Sequence, residues 1–252
     1  FRVFLRERDG QTEIHFAGQL LHHHQHFCFL IRRQLRMGDP GAAFYHTLRG
    51  GHRQLWKTNR EPGCCQIPNG GIGTSIADAM ASYRAALETV ADPKKIIVAG
   101  DSAGGYLAMK VAEIAVLEGL TPPAAVLGFS PLLSLDLKRH PRHFMQKDAY
   151  LPMKQVLALE DRWLNGPDAI PGAASPIEAD PSVFPPVFLS TAEYELMRPD
   201  VEAMTRRLAA AGSSVETHVW KGQVHAFPVM AGALPEGRTV LDLALAFAAR
   251  NL

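Results

Sequence analysis

The chain has 252 residues, 47% of them hydrophobic, and a formal net charge of +1. That length supports one sizeable buried core and reads as a single domain over 1–252. The near-neutral charge argues for neither nucleic acid nor an acidic membrane surface as the main partner, so no nucleic acid is expected, and no apolar run reaches the roughly 18 residues of an integral membrane segment.

Residues 1–66 are atypical for the chain. The stretch 11–66 holds seven of the eleven histidines (His15, His22, His23, His24, His26, His46 and His52) and all three cysteines (Cys28, Cys64 and Cys65). It carries seven Lys or Arg against three acids, Glu13, Asp39 and Glu61. No clean period of 2 or 3.6 runs through it, so no sheet strand is expected there. Its apolar run Phe27-Cys28-Phe29-Leu30-Ile31 is too short to span a membrane and is followed by Arg32 and Arg33. No signal-peptide pattern is visible, and the chain opens at Phe1 without a Met, which leaves a leader upstream open. An odd count of three cysteines gives no disulfide framework and points to a reducing, cytoplasmic setting.

From about residue 67 the sequence becomes regular. Ser75 is expected to cap a helix, with Asp78 near its positive end. Ile76, Met80, Tyr83, Leu87 and Val90 then follow at helical spacing until Asp92-Pro93. Lys95-Ile96-Ile97-Val98-Ala99 predicts a short buried strand, 100–105 a tight turn, and 106–118 a helix ended by Gly119. A second strand is expected over 124–129. Residues 134–180 are irregular, with one helix near 153–164. A third strand over 186–190, a helix over 199–211 closed by Gly212, a half-buried strand over 215–220 and a helix over 238–250 complete the chain. Alternating strands and helices imply a mostly parallel sheet covered on both faces.

The chemistry centres on Gly100-Asp101-Ser102-Ala103-Gly104-Gly105. A Gly-x-Ser-x-Gly turn between a strand and a helix holds its serine in a strained conformation at the top of the sheet. The helix end adds positive potential where an oxyanion would form, and the Ala103 N–H is the first oxyanion donor. The plainer alternative is a Gly-rich turn without function; the strand before and the helix after favour the nucleophile.

A serine hydroxyl needs a base. His140 and His143 sit in the irregular stretch and read as solvated. His218 lies within the strand over 215–220. His225 lies in the loop just past that strand, where a parallel sheet presents catalytic groups. The acid is expected after the third strand, in Thr191-Ala192-Glu193-Tyr194-Glu195-Leu196-Met197-Arg198-Pro199-Asp200, where Glu193, Glu195 and Asp200 all qualify. Asp200 is equally explained by the dipole of the following helix.

The motif around Ser102 resembles the nucleophile motif of the bacterial hormone-sensitive-lipase-like esterases. Ala192-Glu193-Tyr194-Glu195 is similar to that family's acid loop and places Glu195 at the acid, where Asp is commoner. Gly222 to Phe227 resembles its histidine loop, and Ser130-Pro131 also fits. The resemblance covers about residues 67–252. It implies an α/β-hydrolase fold with a helical cap, residues 134–180 being the inserted part, with the helix at 153–164 lining the acyl pocket. It also implies a Ser102–His225–Glu195 triad acting on a small-molecule ester through an acyl-serine, with no metal and no cofactor.

One departure stands out. The family's His-Gly-Gly-Gly motif, which supplies further oxyanion N–H groups, is absent. Arg49-Gly50-Gly51-His52 and Asn69-Gly70-Gly71-Ile72-Gly73 are Gly-rich but wrong in order or position, and the second resembles the entry to the helix before the nucleophile strand. The shift in composition over 11–66 suggests sequence foreign to the family, such as a reading-frame disruption that recovers near Gln66. Two rival readings follow: a metal site at His22, His23, His24 and His26, which lacks a spaced acid or cysteine partner, and a catalytically impaired homologue.

Overall fold

Short apolar runs bounded by turn residues become the strands at the centre of the molecule. In the computed structural model, which describes residues 2–8, 11–19, 26–31, 71–90, 92–136, 148–151, 156 and 169–252, β1 (Arg2–Arg8), β2 (Gln11–Gln19), β3 (His26–Ile31), β4 (Ile96–Asp101), β5 (Ala125–Phe129), β6 (Val187–Ala192) and β7 (Val215–Trp220) form one seven-stranded sheet in chain order. The pairs β4–β5, β5–β6 and β6–β7 are parallel. The first three strands add an antiparallel flank, joined to β4 in a register that sets Phe27 opposite Gly100 and Ile31 opposite Ile96.

That flank corrects the expectation that 11–66 lacks strands. Its apolar run falls inside β3, which adjoins β4. A short continuous apolar run suits a strand inside a sheet, and the search for a period of 2 misses it.

Helices α1 (Ile72–Thr89), α2 (Ala103–Leu117), α3 (Arg198–Ala210) and α4 (Pro235–Arg250) cover both faces. Strand alternation divides the core between them. Ile96, Val98, Val126, Val187 and Leu189 pack with residues of α1, α2 and α3. Ile97, Ala99, Leu127, Phe129 and Phe188 face the opposite way and pack with residues of α4. Strand β7 is half-buried along most of its length. No helix among the described residues is long and apolar enough to cross a membrane.

Three helix starts differ from expectation by more than one residue, and the last, α4, begins at Pro235 where 238 is expected. α1 begins at Ile72 with Gly71 at its N-cap, so Ser75 lies inside the first turn and its hydroxyl donates back to the Gly71 carbonyl at 3.4 Å. Of the glycine-rich stretch 69–73, the described residues 71–73 form the start of this helix. α2 begins at Ala103, directly after Ser102, so the turn is tighter than 100–105. Gly119 (φ +69°) and Gly212 (φ +77°) take the left-handed conformation just past α2 and α3, as helix stops do.

Outside the described residues lie the expected helix at 153–164 (Val156 apart), His140, His143, Cys64, Cys65 and all of the histidine cluster except His26 in β3. The far end of the irregular stretch 134–180 is described and is fixed to α2. Lys110 is fully buried; its Nζ donates to the Glu113 carboxylate and to the carbonyls of Pro171 (2.7 Å) and Ala173 (2.6 Å). Glu113 Oε1 accepts the Ala173 N–H at 2.7 Å. Burial pushes the Lys110 amine below its ordinary value, and Glu113 offsets part of that.

Candidate active site

The four parallel strands end side by side, which gathers four sequence-distant loops at one edge. Ser102 follows β4, Ser130 follows β5, Glu195 follows β6 and His225 follows β7. All four side chains are buried.

Ser102 sits at φ 54° and ψ −120°, a strained backbone for a residue with a Cβ. Its N–H donates to the Phe129 carbonyl at 3.0 Å, and its own carbonyl accepts from Leu132 at 2.9 Å and Tyr106 at 3.2 Å. The flanking glycines let this turn close: a Cβ on Gly100 would lie 2.2 Å from the Gly104 carbonyl carbon, and one on Gly105 would lie 2.5 Å from the Pro131 Cβ. Ala103 is the first residue of α2, so its N–H has no partner within the helix.

Among the described residues, the non-glycine residues with positive φ are Ser102, Ser130 (48°) and Ala226 (53°). All three belong to this edge. Ser130 Oγ accepts the Ala226 N–H at 3.0 Å, and the Ser130 N–H donates to the Ser190 carbonyl at 2.7 Å. The strain is thus held by bonds among these loops and the strand ends beside them.

Of the three carboxylates considered in the acid loop, Glu195 reaches the histidine. Its Oε2 lies 3.1 Å from His225 Nδ1, and its Oε1 accepts from the Thr191 hydroxyl. Glu193 is only half-buried, and Asp200 is buried in the first turn of α3. His218 bonds Glu216 at 2.9 Å and packs on Phe188, away from Glu195. His225 Nε2 is buried and has no hydrogen-bond partner among the described residues. Apo sites often hold such catalytic bonds loosely.

Burial pushes the His225 imidazole down, but its bond to Glu195 and the charges of Glu195, Asp148 and Asp101 outweigh that and leave it above its ordinary value. Three contributors carry no clear sequence signal. Thr191 orients Glu195. Asp148 binds the N–H of Leu196 at 2.9 Å. The Tyr150 ring lies 6.1 Å from the His225 ring. Asp148 and Tyr150 lie in the irregular stretch 134–180, where no periodicity marks a site. No group of three or more His, Cys, Asp or Glu suited to a metal ion occurs among the described residues.

The arrangement can lower the cost of a serine attack on a carbonyl: a hydroxyl on a strained turn, an oriented imidazole and a helix N-terminus share one edge. Comparison with known proteins agrees in kind. A family model described as alpha/beta hydrolase fold matches residues 68–229. The chain is 34% identical over 177 residues to Esterase LipU of Mycobacterium tuberculosis (strain ATCC 25618 / H37Rv), covering 68% of this chain and 59% of that protein. It is 29% identical over 182 residues to an acetyl-hydrolase of Streptomyces hygroscopicus, covering 71% and 60%. A solved esterase from the bacterial hormone-sensitive lipase family superposes with a TM-score of 0.67 at 27% identity, over 73% of this chain and 62% of that one. A hormone-sensitive lipase from a metagenome library superposes with a TM-score of 0.66 at 26% identity, over 74% and 65%. The chain therefore spans about three-fifths of the length of the two curated relatives named.

Proposed function

Because this chain belongs to the α/β-hydrolase family, among the bacterial hormone-sensitive-lipase-like esterases, we propose that it hydrolyses small carboxylic esters through Ser102, His225 and Glu195. The observation that carries this reading is the buried Glu195–His225 pair at 3.1 Å, set on the same sheet edge as the strained Ser102.

His225 Nε2 takes the Ser102 proton as Oγ attacks the ester carbonyl. The carbonyl oxygen becomes an oxyanion, with the Ala103 N–H as one donor to it. The tetrahedral intermediate collapses, the C–O bond to the alcohol breaks, and His225 returns the proton to the departing alkoxide. Water then attacks the acyl-serine, losing its proton to His225, and the acid leaves as Ser102 is restored. Glu195 accepts from Nδ1 throughout and stabilises the imidazolium without taking the proton. No step needs a metal or cofactor.

Hydrolysis of p-nitrophenyl esters tests this. Ser102→Ala is expected to abolish it, and a variant that keeps most of the activity refutes the assignment.

A second reading has its own support. The family model begins at residue 68, and no His-Gly-Gly-Gly precedes the nucleophile. Residues 11–66, read as foreign to the family, would leave an impaired hydrolase, since one missing oxyanion donor costs about 10²–10³ in rate. Sequencing the coding DNA separates the two: an uninterrupted frame matching a homologous protein over 11–66 rules out the disruption.

A further inference from the structure

Asp148 takes no part in the proposed chemistry, yet its carboxylate touches two elements that surround it. Oδ1 accepts the N–H groups of Tyr150 and Leu151, both at 2.9 Å. That closes a tight turn in the insertion, as Asp side chains do when they bond backbone two residues on. Oδ2 accepts the N–H of Leu196 at 2.9 Å, 48 positions along the chain. Leu196 is fully buried and directly follows Glu195. The turn needs only Oδ1, so the second oxygen does something a turn does not require. It ties the insertion to the acid loop with a charge-assisted bond.

The two tied elements meet the same imidazole. Tyr150 lays its ring 6.1 Å from that of His225, with the planes inclined by 31°. Glu195 holds Nδ1 of that imidazole. Burial and the Asp101 charge hold the Tyr150 phenol proton more tightly than usual, so the ring is a neutral wall at working pH.

We propose that Asp148 is a positioning residue that fixes the insertion to the acid loop, so that Tyr150 covers His225 while Glu195 holds its Nδ1. This rests on the esterase reading above. Rotation of the imidazole would misplace Nε2 relative to Ser102, and a wall on the ring together with a fixed acid opposes that rotation. Among the described residues, the charged and titratable groups facing His225 are Glu195 from the acid loop, Asp148 and Tyr150 from the insertion, and Asp101 from the end of β4. Asp148 therefore also adds negative charge that favours the imidazolium formed during turnover.

Asp148→Asn tests this. The amide keeps a carbonyl oxygen for the turn but cannot also accept from Leu196, and it removes the charge. Asp148→Ser is the second variant, since a hydroxyl can close the turn but reaches no further. The chain is assayed with a p-nitrophenyl ester across pH, with rates normalised to sites titrated by a fluorophosphonate. Both variants are expected to lose kcat by about tenfold with KM near wild type. The acid limb of kcat/KM is expected to move to lower pH. Wild-type kcat with an unmoved acid limb in both variants overturns the proposal, as does a loss that vanishes on normalisation. NMR titration of His225 reads the same effect without turnover: a lower imidazole pKa in Asp148→Asn supports the role, and an unchanged one contradicts it. If the wild type hydrolyses no ester, the esterase reading fails on its own, and the NMR comparison still decides the role of Asp148.

Discussion

The Ser130 hydroxyl accepts a hydrogen bond from the Ala226 N–H at 3.0 Å and so joins the end of β5 to the loop that carries His225. Both residues have positive φ, and both are buried. Ser130→Ala leaves the buried Ala226 N–H without its partner. A loss of about 1–3 kcal/mol is expected in urea-melt stability. A lower kcat is expected with it, because the freed loop holds His225 less firmly. Stability and kcat at wild-type levels would show that the bond is dispensable.

Gly100 supports the turn that carries Ser102 through space alone. A Cβ there would meet the Gly104 carbonyl carbon at 2.2 Å and its oxygen at 2.3 Å, and neither belongs to a flexible side chain. Gly100→Ala must push β4 and α2 apart at Ser102. Overpacking of this kind costs about 1–3 kcal/mol or more. Thermal melting is expected to show a clear drop in Tm; an unchanged Tm would mean that the turn relaxes freely.

The Lys110–Glu113 pair predicts an asymmetry between single and double variants. Lys110→Met strands the buried Glu113 carboxylate, and breaking one side of a buried pair costs about 3–5 kcal/mol. Glu113 also holds the Ala173 N–H, so the segment around Ala173 should loosen too. Lys110→Met with Glu113→Leu is expected to regain part of that loss, because no charge is left stranded. Chemical denaturation of the three proteins measures the coupling. A double variant less stable than Lys110→Met contradicts it.

Activity should fall in acid, above the usual histidine range. In the proposed mechanism His225 must be neutral to accept the Ser102 proton, and its pKa is raised above the ordinary value of about 6.5. The acid limb of kcat/KM is therefore expected to inflect above about 6.5. Stability has the opposite sign. The folded state holds the imidazolium more firmly than the unfolded state does. The stabilisation is fully present below the unfolded pKa and is lost as pH rises through the folded one. Urea midpoints across that window should fall for wild type and flatten in His225→Ala. An acid limb below pH 6 (roughly half a unit under the ordinary value) would contradict the charge balance around His225.

Much of this is legible in the sequence because local rules and tertiary structure agree. Apolar runs at β4, β5 and β6 need no partner to be recognised, and Gly119 and Gly212 mark helix ends by their conformation. The glycines at 100, 104 and 105 signal a close approach of strand and helix by lacking a Cβ. Glu195 is one of three carboxylates in its loop, and the resemblance singles it out; spacing alone does not say which one faces His225. The strand β3 escapes a search for alternation because a strand inside a sheet shows none. Asp148 and Tyr150 escape it too, because their roles come from contacts across the fold, and nothing nearby in the chain records them.

Activation of Ser102 is the central step of the proposed mechanism. Mass spectrometry of the chain treated with a fluorophosphonate at neutral pH measures this directly. One covalent adduct on Ser102, lost in Ser102→Ala and strongly slowed in His225→Ala, is the expected result. Folded protein with no adduct on Ser102, or with the adduct on another residue, contradicts the account.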